Sequence, residues 1–234
     1  MGKAKEVHVK IIYEDNHFIA VNKPAGVLVH SDETGDSTLA DAVKMYIKDR
    51  YNKPGDVFLG VIHRLDRPVS GVTLFARTSK GLSRMNRLFQ ERKVEKNYVA
   101  IINKRPEPLE ATLTDYLYKD KSKNVSRIHQ SDRKGAKKST LDYSLRAGIN
   151  GYYLLNVNPI TGRPHQIRVQ LSAQGFPIVG DLKYGYPRPT QDKSICLHCE
   201  KLSFIHPVKN EPVTIEADLP TTEYWSFFND VEEY

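Results

Sequence analysis

The chain predicts an α+β fold, a mainly antiparallel, mixed sheet flanked by helices. Three observations predict it. Strand-like segments outnumber helical ones. The two kinds do not alternate regularly, which argues against a doubly wound parallel sheet. The 234 residues, 39% hydrophobic and 27% charged, are enough for a substantial core. We expect one domain over residues 1–234, with its core at about 8–220.

Val7, Val9 and Ile11 alternate with polar residues, the period of a half-buried strand. His17–Val21 reads as a buried strand ended by Asn22-Lys23-Pro24-Ala25-Gly26. Asp36 or Ser37 is placed to cap a helix carrying Leu39, Val43, Ile47 and Tyr51 on one face, stopped by Asn52-Lys53-Pro54-Gly55. Val57–Ile62 and Val72–Ala76 read as strands bracketing a polar loop. A second helix starts at Thr78 or Ser79, with Leu82, Met85, Leu88 and Phe89 as its core stripe. Strands follow near Tyr98–Ile102 and Ala111–Tyr118. Residues 119–138 hold eight lysines and arginines against two aspartates and read as a solvated loop, with phosphate contact as the functional alternative. Thr140–Arg146 and Tyr152–Val157 form a hairpin turning at Ala147–Gly151. Pro164 at an early helical position and Gly175 past the last turn bound a third helix. Ile195–Phe204 and Pro212–Ala217 close the chain as strands.

No apolar run approaches the roughly 18 residues of a membrane helix. The segment Met1–Glu6 lacks the apolar core of a secretory signal, and Glu6 stands where a myristoylation motif wants Ser or Thr. A cytoplasmic protein with no membrane partner is expected, and a monomer by default. The two cysteines, Cys196 and Cys199, form no disulfide framework. With His198 and His206 they suggest zinc or redox chemistry. A zinc site needs a second ligand pair, and on a strand positions three apart face opposite ways, so no metal is expected. Formal net charge is +7, with −5 concentrated in residues 201–234. A basic body of this kind suits a polyanionic partner.

His63-Arg64-Leu65-Asp66-Arg67-Pro68-Val69-Ser70-Gly71 lies between two apolar runs. A carboxylate there is costly to bury unless a cation or hydrogen bonds compensate it. Such a group marks a reacting residue or an ion-pair anchor. Arg168, in Thr161-Gly162-Arg163-Pro164-His165-Gln166-Ile167-Arg168, is the candidate cation, and would keep Asp66 ionised and directed by charge-assisted hydrogen bonds. An ordinary structural Arg–Asp pair is the plainer alternative.

These two stretches resemble the RluA family of RNA pseudouridine synthases. Val21-Asn22-Lys23-Pro24-Ala25-Gly26, Lys96-Asn97-Tyr98-Val99-Ala100 and Gly175–Asp181 match further blocks of that family in order and spacing, and the match extends to Leu197-His198 and His206-Pro207. Val69 stands where the family often has Thr, and Gln170 where it often has His. The resemblance implies the pseudouridine synthase catalytic fold in a form lacking an N-terminal S4 domain. It implies an isomerase that needs no cofactor and acts on ribosomal or transfer RNA. By the same resemblance Asp66 starts breakage of the glycosidic bond and Arg168 holds it. Tyr98 packs on the base and Ile167 walls it, while Arg64 fills the gap left by the flipped uridine. His63 is expected near the substrate, and Lys134, Lys137 and Lys138 at RNA phosphates. The alternatives are a catalytically silent RNA-binding protein of the same fold and an aspartate-dependent glycosidase. The latter needs a second carboxylate, for which Asp181 is a weak contender, better read as capping a turn.

Overall fold

The computed structural model describes residues 8–31, 36–129, 131 and 135–228. The elements run β1 (Lys10–Glu14), β2 (Phe18–Lys23), α1 (Leu39–Arg50), β3 (Gly60–Val61), β4 (Ser70–Ala76), α2 (Ser79–Gln90), β5 (Val94–Ile102), β6 (Glu110–Asp120), β7 (Val125–His129), β8 (Lys137–Ile149), β9 (Tyr152–Pro159), α3 (Gln166–Ala173), β10 (Leu197–Ile205) and β11 (Pro212–Glu216), with short 3-10 turns at Leu182–Tyr184 and Glu223–Phe228. By contacts the chain forms two compact units, Met1–Val94 with Lys201–Asp218, and Glu95–Glu200 with Leu219–Tyr234.

In the first unit β1 pairs β2, β2 pairs β4, and β3 pairs the far end of β4, all antiparallel. β10 and β11 form a hairpin. Ile19, Val21, Leu39, Val43, Ile47 and Phe75 make a core between the sheet and α1. The start of α1 differs from expectation. Thr38 is the cap, because it closes a reciprocal box: its hydroxyl accepts from the Asp41 amide and the Asp41 carboxylate accepts from the Thr38 amide. Asp36 instead pairs with Arg67. The helix α2 starts where expected, with Thr78 accepting from the Gly81 amide. Of its apolar stripe, Met85 is the fully buried member.

In the second unit the strand order is β5-β9-β8-β6-β7, again antiparallel at every step. The β8–β9 hairpin turns at Asn150-Gly151, both with positive φ (53° and 76°), as a tight two-residue turn requires. The basic stretch is not the expected loop. It contains β7, which pairs Val125–His129 with Tyr116–Asp120 of β6, and it ends in the first residues of β8. Ile128 packs with Leu117 against Val169 and Tyr184, so one face of this ribbon is buried. That alternation outweighs the charge density that made the segment look unstructured.

The third helix is also entered differently. Pro164 lies in the turn before α3, and His165 is its cap, held in the left-handed region at φ 54°. No side chain caps the helix; the Gln166 side chain instead ties down the turn before it, accepting from the Arg163 amide (3.0 Å) and the Thr161 hydroxyl (2.7 Å) and donating to Thr140 O (3.0 Å). Gly175 follows the last turn with φ +83°, as expected.

Candidate active site

The Asp66 loop is built inside the first unit. A turn closes with the Val69 amide donating to Asp66 O at 3.0 Å, followed at once by β4. The loop is tied to the 23–26 segment by the Gly26 amide donating to Arg67 O (2.7 Å) and Arg67 Nε donating to Gly26 O (3.0 Å). Beneath it lies Lys23, 0% exposed. Its Nζ donates to Pro24 O (3.0 Å) and Arg67 O (3.2 Å). Burial pushes the Lys23 ammonium down to about 7; the Asp66 carboxylate opposes that shift and the Arg67 charge adds to it. Asp66, half-buried, therefore has a buried lysine in its immediate field. The matching block was visible in the sequence, but nothing in its pattern gave Lys23 a task. The signal was a lysine that, after Asn22, ends a strand whose first four residues are apolar.

Flanking residues of the same loop are held individually. His63 Nε2 accepts from the Leu74 amide (3.0 Å), and its ring stacks on Phe89 at 5.4 Å between centroids. Expected at the substrate, His63 has contacts that brace the loop against β4 and α2. Arg64 is exposed, with its guanidinium 2.6 Å from His30 Nε2.

The other expected residues lie in the second unit. Tyr98 sits on β5 opposite Val157, half-buried, and its side chain hydrogen-bonds the Cys199 thiol. Burial raises that thiol to about 12 and also raises Cys196, so both cysteines are inert protonated core residues. His198, raised above as a possible ligand, is buried with its ring edge-on to Trp225.

Arg168 on α3 is 5% exposed and forms a two-pronged pair with Asp181, Nε to Oδ2 at 2.7 Å and an NH2 nitrogen to Oδ1 at 2.8 Å. Asp181 is 1% exposed. Contrary to the expectation that it caps a turn, its side chain makes no cap bond and instead fixes the plane of the guanidinium. The guanidinium carbon also lies 5.0 Å over the Tyr184 ring. Tyr184 OH accepts from the Ser126 amide (2.8 Å) and meets His165 Nδ1 at 2.7 Å. Arg168 is thus oriented from two sides, by Asp181, weighed in the sequence only as a second carboxylate or a turn cap, and by Tyr184, which the sequence pattern did not single out. Ile167 is buried beside it. Gln170, the departure from the family pattern, is buried and donates to Asp115 at 2.7 Å, an anchor between α3 and β6. Lys137 and Lys138 are exposed at the start of β8, and Lys134 lies outside the described residues.

The sequence model of the RNA pseudouridylate synthase family matches residues 17–173. Ribosomal large subunit pseudouridine synthase C of Buchnera aphidicola subsp. Baizongia pistaciae is 32% identical, over 89% of this chain and 66% of its own length. The tRNA pseudouridine synthase C of Vibrio parahaemolyticus is 32% identical over 92% of each chain. Among solved structures, Human RNA Pseudouridylate Synthase Domain Containing 4 superposes with a TM-score of 0.75 at 24% identity, covering 90% of this chain and 88% of that one. Human RNA Pseudouridylate Synthase Domain Containing 1 gives 0.72 at 27% identity over 95% and 88%.

Proposed function

The chain belongs to the RNA pseudouridylate synthase family, in its RluA branch, and on that premise we propose that it isomerises specific uridines in structured ribosomal or transfer RNA, with Asp66 as the catalytic carboxylate. What supports this reading best is one coincidence. The family match spans both the loop that holds Asp66 over a buried lysine and the helix that carries Arg168, whose guanidinium is fixed by Asp181 just beyond the matched residues.

The reaction breaks the bond from uracil N1 to the ribose anomeric carbon, turns the base, and joins carbon-5 to the same ribose carbon. Carbon-5 gives up a proton and N1 gains one, so atoms and electrons balance without a redox partner. A carboxylate acts here by covalent attack or by stabilising cationic sugar character. Asp66 supplies that group. Tyr98, Ile167 and Arg168 supply the aromatic, apolar and cationic groups the reaction needs. Arg64, exposed on the Asp66 loop, is the side chain for the space vacated when a uridine leaves its stack. We propose that it works as a monomer in the cytoplasm, where ribosomal and transfer RNA are found. No helix among the described residues is long and apolar enough to cross a membrane.

The target is tested by incubating unmodified ribosomal and transfer RNA with the protein, treating with a carbodiimide, and mapping the alkali-resistant adducts by primer extension. Stops at one or a few discrete uridines are expected. Adducts at no position in either RNA would overturn the proposed substrates.

A further inference from the structure

We propose that the outward face of the β6–β7–β8 ribbon is a stacking platform for unpaired RNA nucleotides that flank the modified site. The proposal rests on the isomerase reading above and adds to it a second surface.

Strand register assigns the face. Tyr116 stands opposite both His129 and Lys138, and Tyr118 opposite Arg127, so these five side chains share one side of the ribbon. The other side carries Leu117 and Ile128, which pack on Val169 and Tyr184. Tyr118 is 41% exposed, and its ring meets the His129 ring edge-on at 5.8 Å. Arg127 and Lys138 are exposed on either side of the aromatic rings. The carboxylates of this face lie towards its ends. Asp120 is tied into the β6–β7 turn by Ser122 and the Lys123 amide, and Asp142 accepts from Thr112 at 2.6 Å. The middle is therefore aromatic and cationic.

An exposed strand face need only be polar to be soluble, and threonines such as Thr114 and Thr140 meet that need further along the same strands. Two tyrosines between an arginine and a lysine do something else. Flat rings accept the π-face of any unpaired base, while the cations meet the phosphates on either side. Paired RNA hides its base faces, so the platform selects loops or single strands. That preference suits an enzyme whose target base must leave its stack.

The test uses the full chain and a fluorescein-labelled ten-nucleotide oligouridylate, with a blunt RNA duplex of the same length as control. The Tyr116→Ala/Tyr118→Ala pair is expected to lose about tenfold in affinity for the single strand and little for the duplex. Tyr116→Phe/Tyr118→Phe keeps the rings and should stay within about twofold. Arg127→Gln/Lys138→Gln should lower the salt slope of single-strand binding by about 1.4. If the alanine pair does not fold, Tyr118→Ala alone carries the comparison. Unchanged single-strand affinity in folded alanine variants, or an equal loss on the duplex, overturns the platform. Tyrosine-dependent binding by a wild-type protein that releases no tritium from carbon-5-labelled RNA would leave the platform standing and remove the isomerase reading.

Discussion

Lys23 holds the main chain of the Asp66 turn while itself having no exposed surface, so its charge state matters to the whole first unit. Its proton affinity falls from the ordinary lysine range to about 7 on folding. Between about pH 7 and 10.5 the unfolded chain therefore holds a proton that the folded chain has released, and stability rises with pH across that window. Below it both states are charged and the burial penalty is complete. We predict that wild type gains about 2 kcal/mol more than Lys23→Met in urea unfolding free energy between pH 6 and pH 9. Identical pH dependence in the two would reject a buried, displaced lysine. Asp66 is legible in the sequence, because a carboxylate between two apolar runs is conspicuous. Lys23, Asp181 and Tyr184 are not, because their importance lies in contacts between segments distant in the chain.

Elements are legible where one pattern dominates. The β8–β9 hairpin, α2 and β4 after Asp66 follow from alternation, caps and turn residues, whereas the apolar run Val57–Ile62 before Asp66 pairs as a strand only over Gly60–Val61. The entry to α3 is not legible, since His165 stands at the cap position in the left-handed region without a side-chain cap, and Gln166 ties the preceding turn through Arg163 instead. β7 is hidden by its charge. The connection after α3 makes a further demand. Gly180 has φ +85°, and a Cβ there would come within 2.7 Å of Ser194 O and 2.8 Å of Thr190 Cγ2. This glycine places Asp181 at Arg168, so backbone strain at one position reaches the proposed chemistry. Gly180→Ala should destabilise the protein by about 2 kcal/mol or more, measured by chemical denaturation. A loss below about 0.5 kcal/mol would mean the turn relaxes freely.

At the scale of the whole molecule, fold class is read correctly from composition and pattern. Every strand pair described within either unit is antiparallel, and the likeness to solved structures extends over nine-tenths of the chain. The +7 charge fits an RNA substrate but does not locate it. The structure adds that part of this charge sits on a ribbon with one buried and one open face. The proposed chemistry rests on one carboxylate, Asp66, and that proposal has a direct test. RNA labelled with tritium at uridine carbon-5 releases the label only when the new carbon–carbon bond forms. Wild type should release it, and Asp66→Asn should release none while still binding RNA with near wild-type affinity. Release by Asp66→Asn at a rate comparable to wild type would contradict the account.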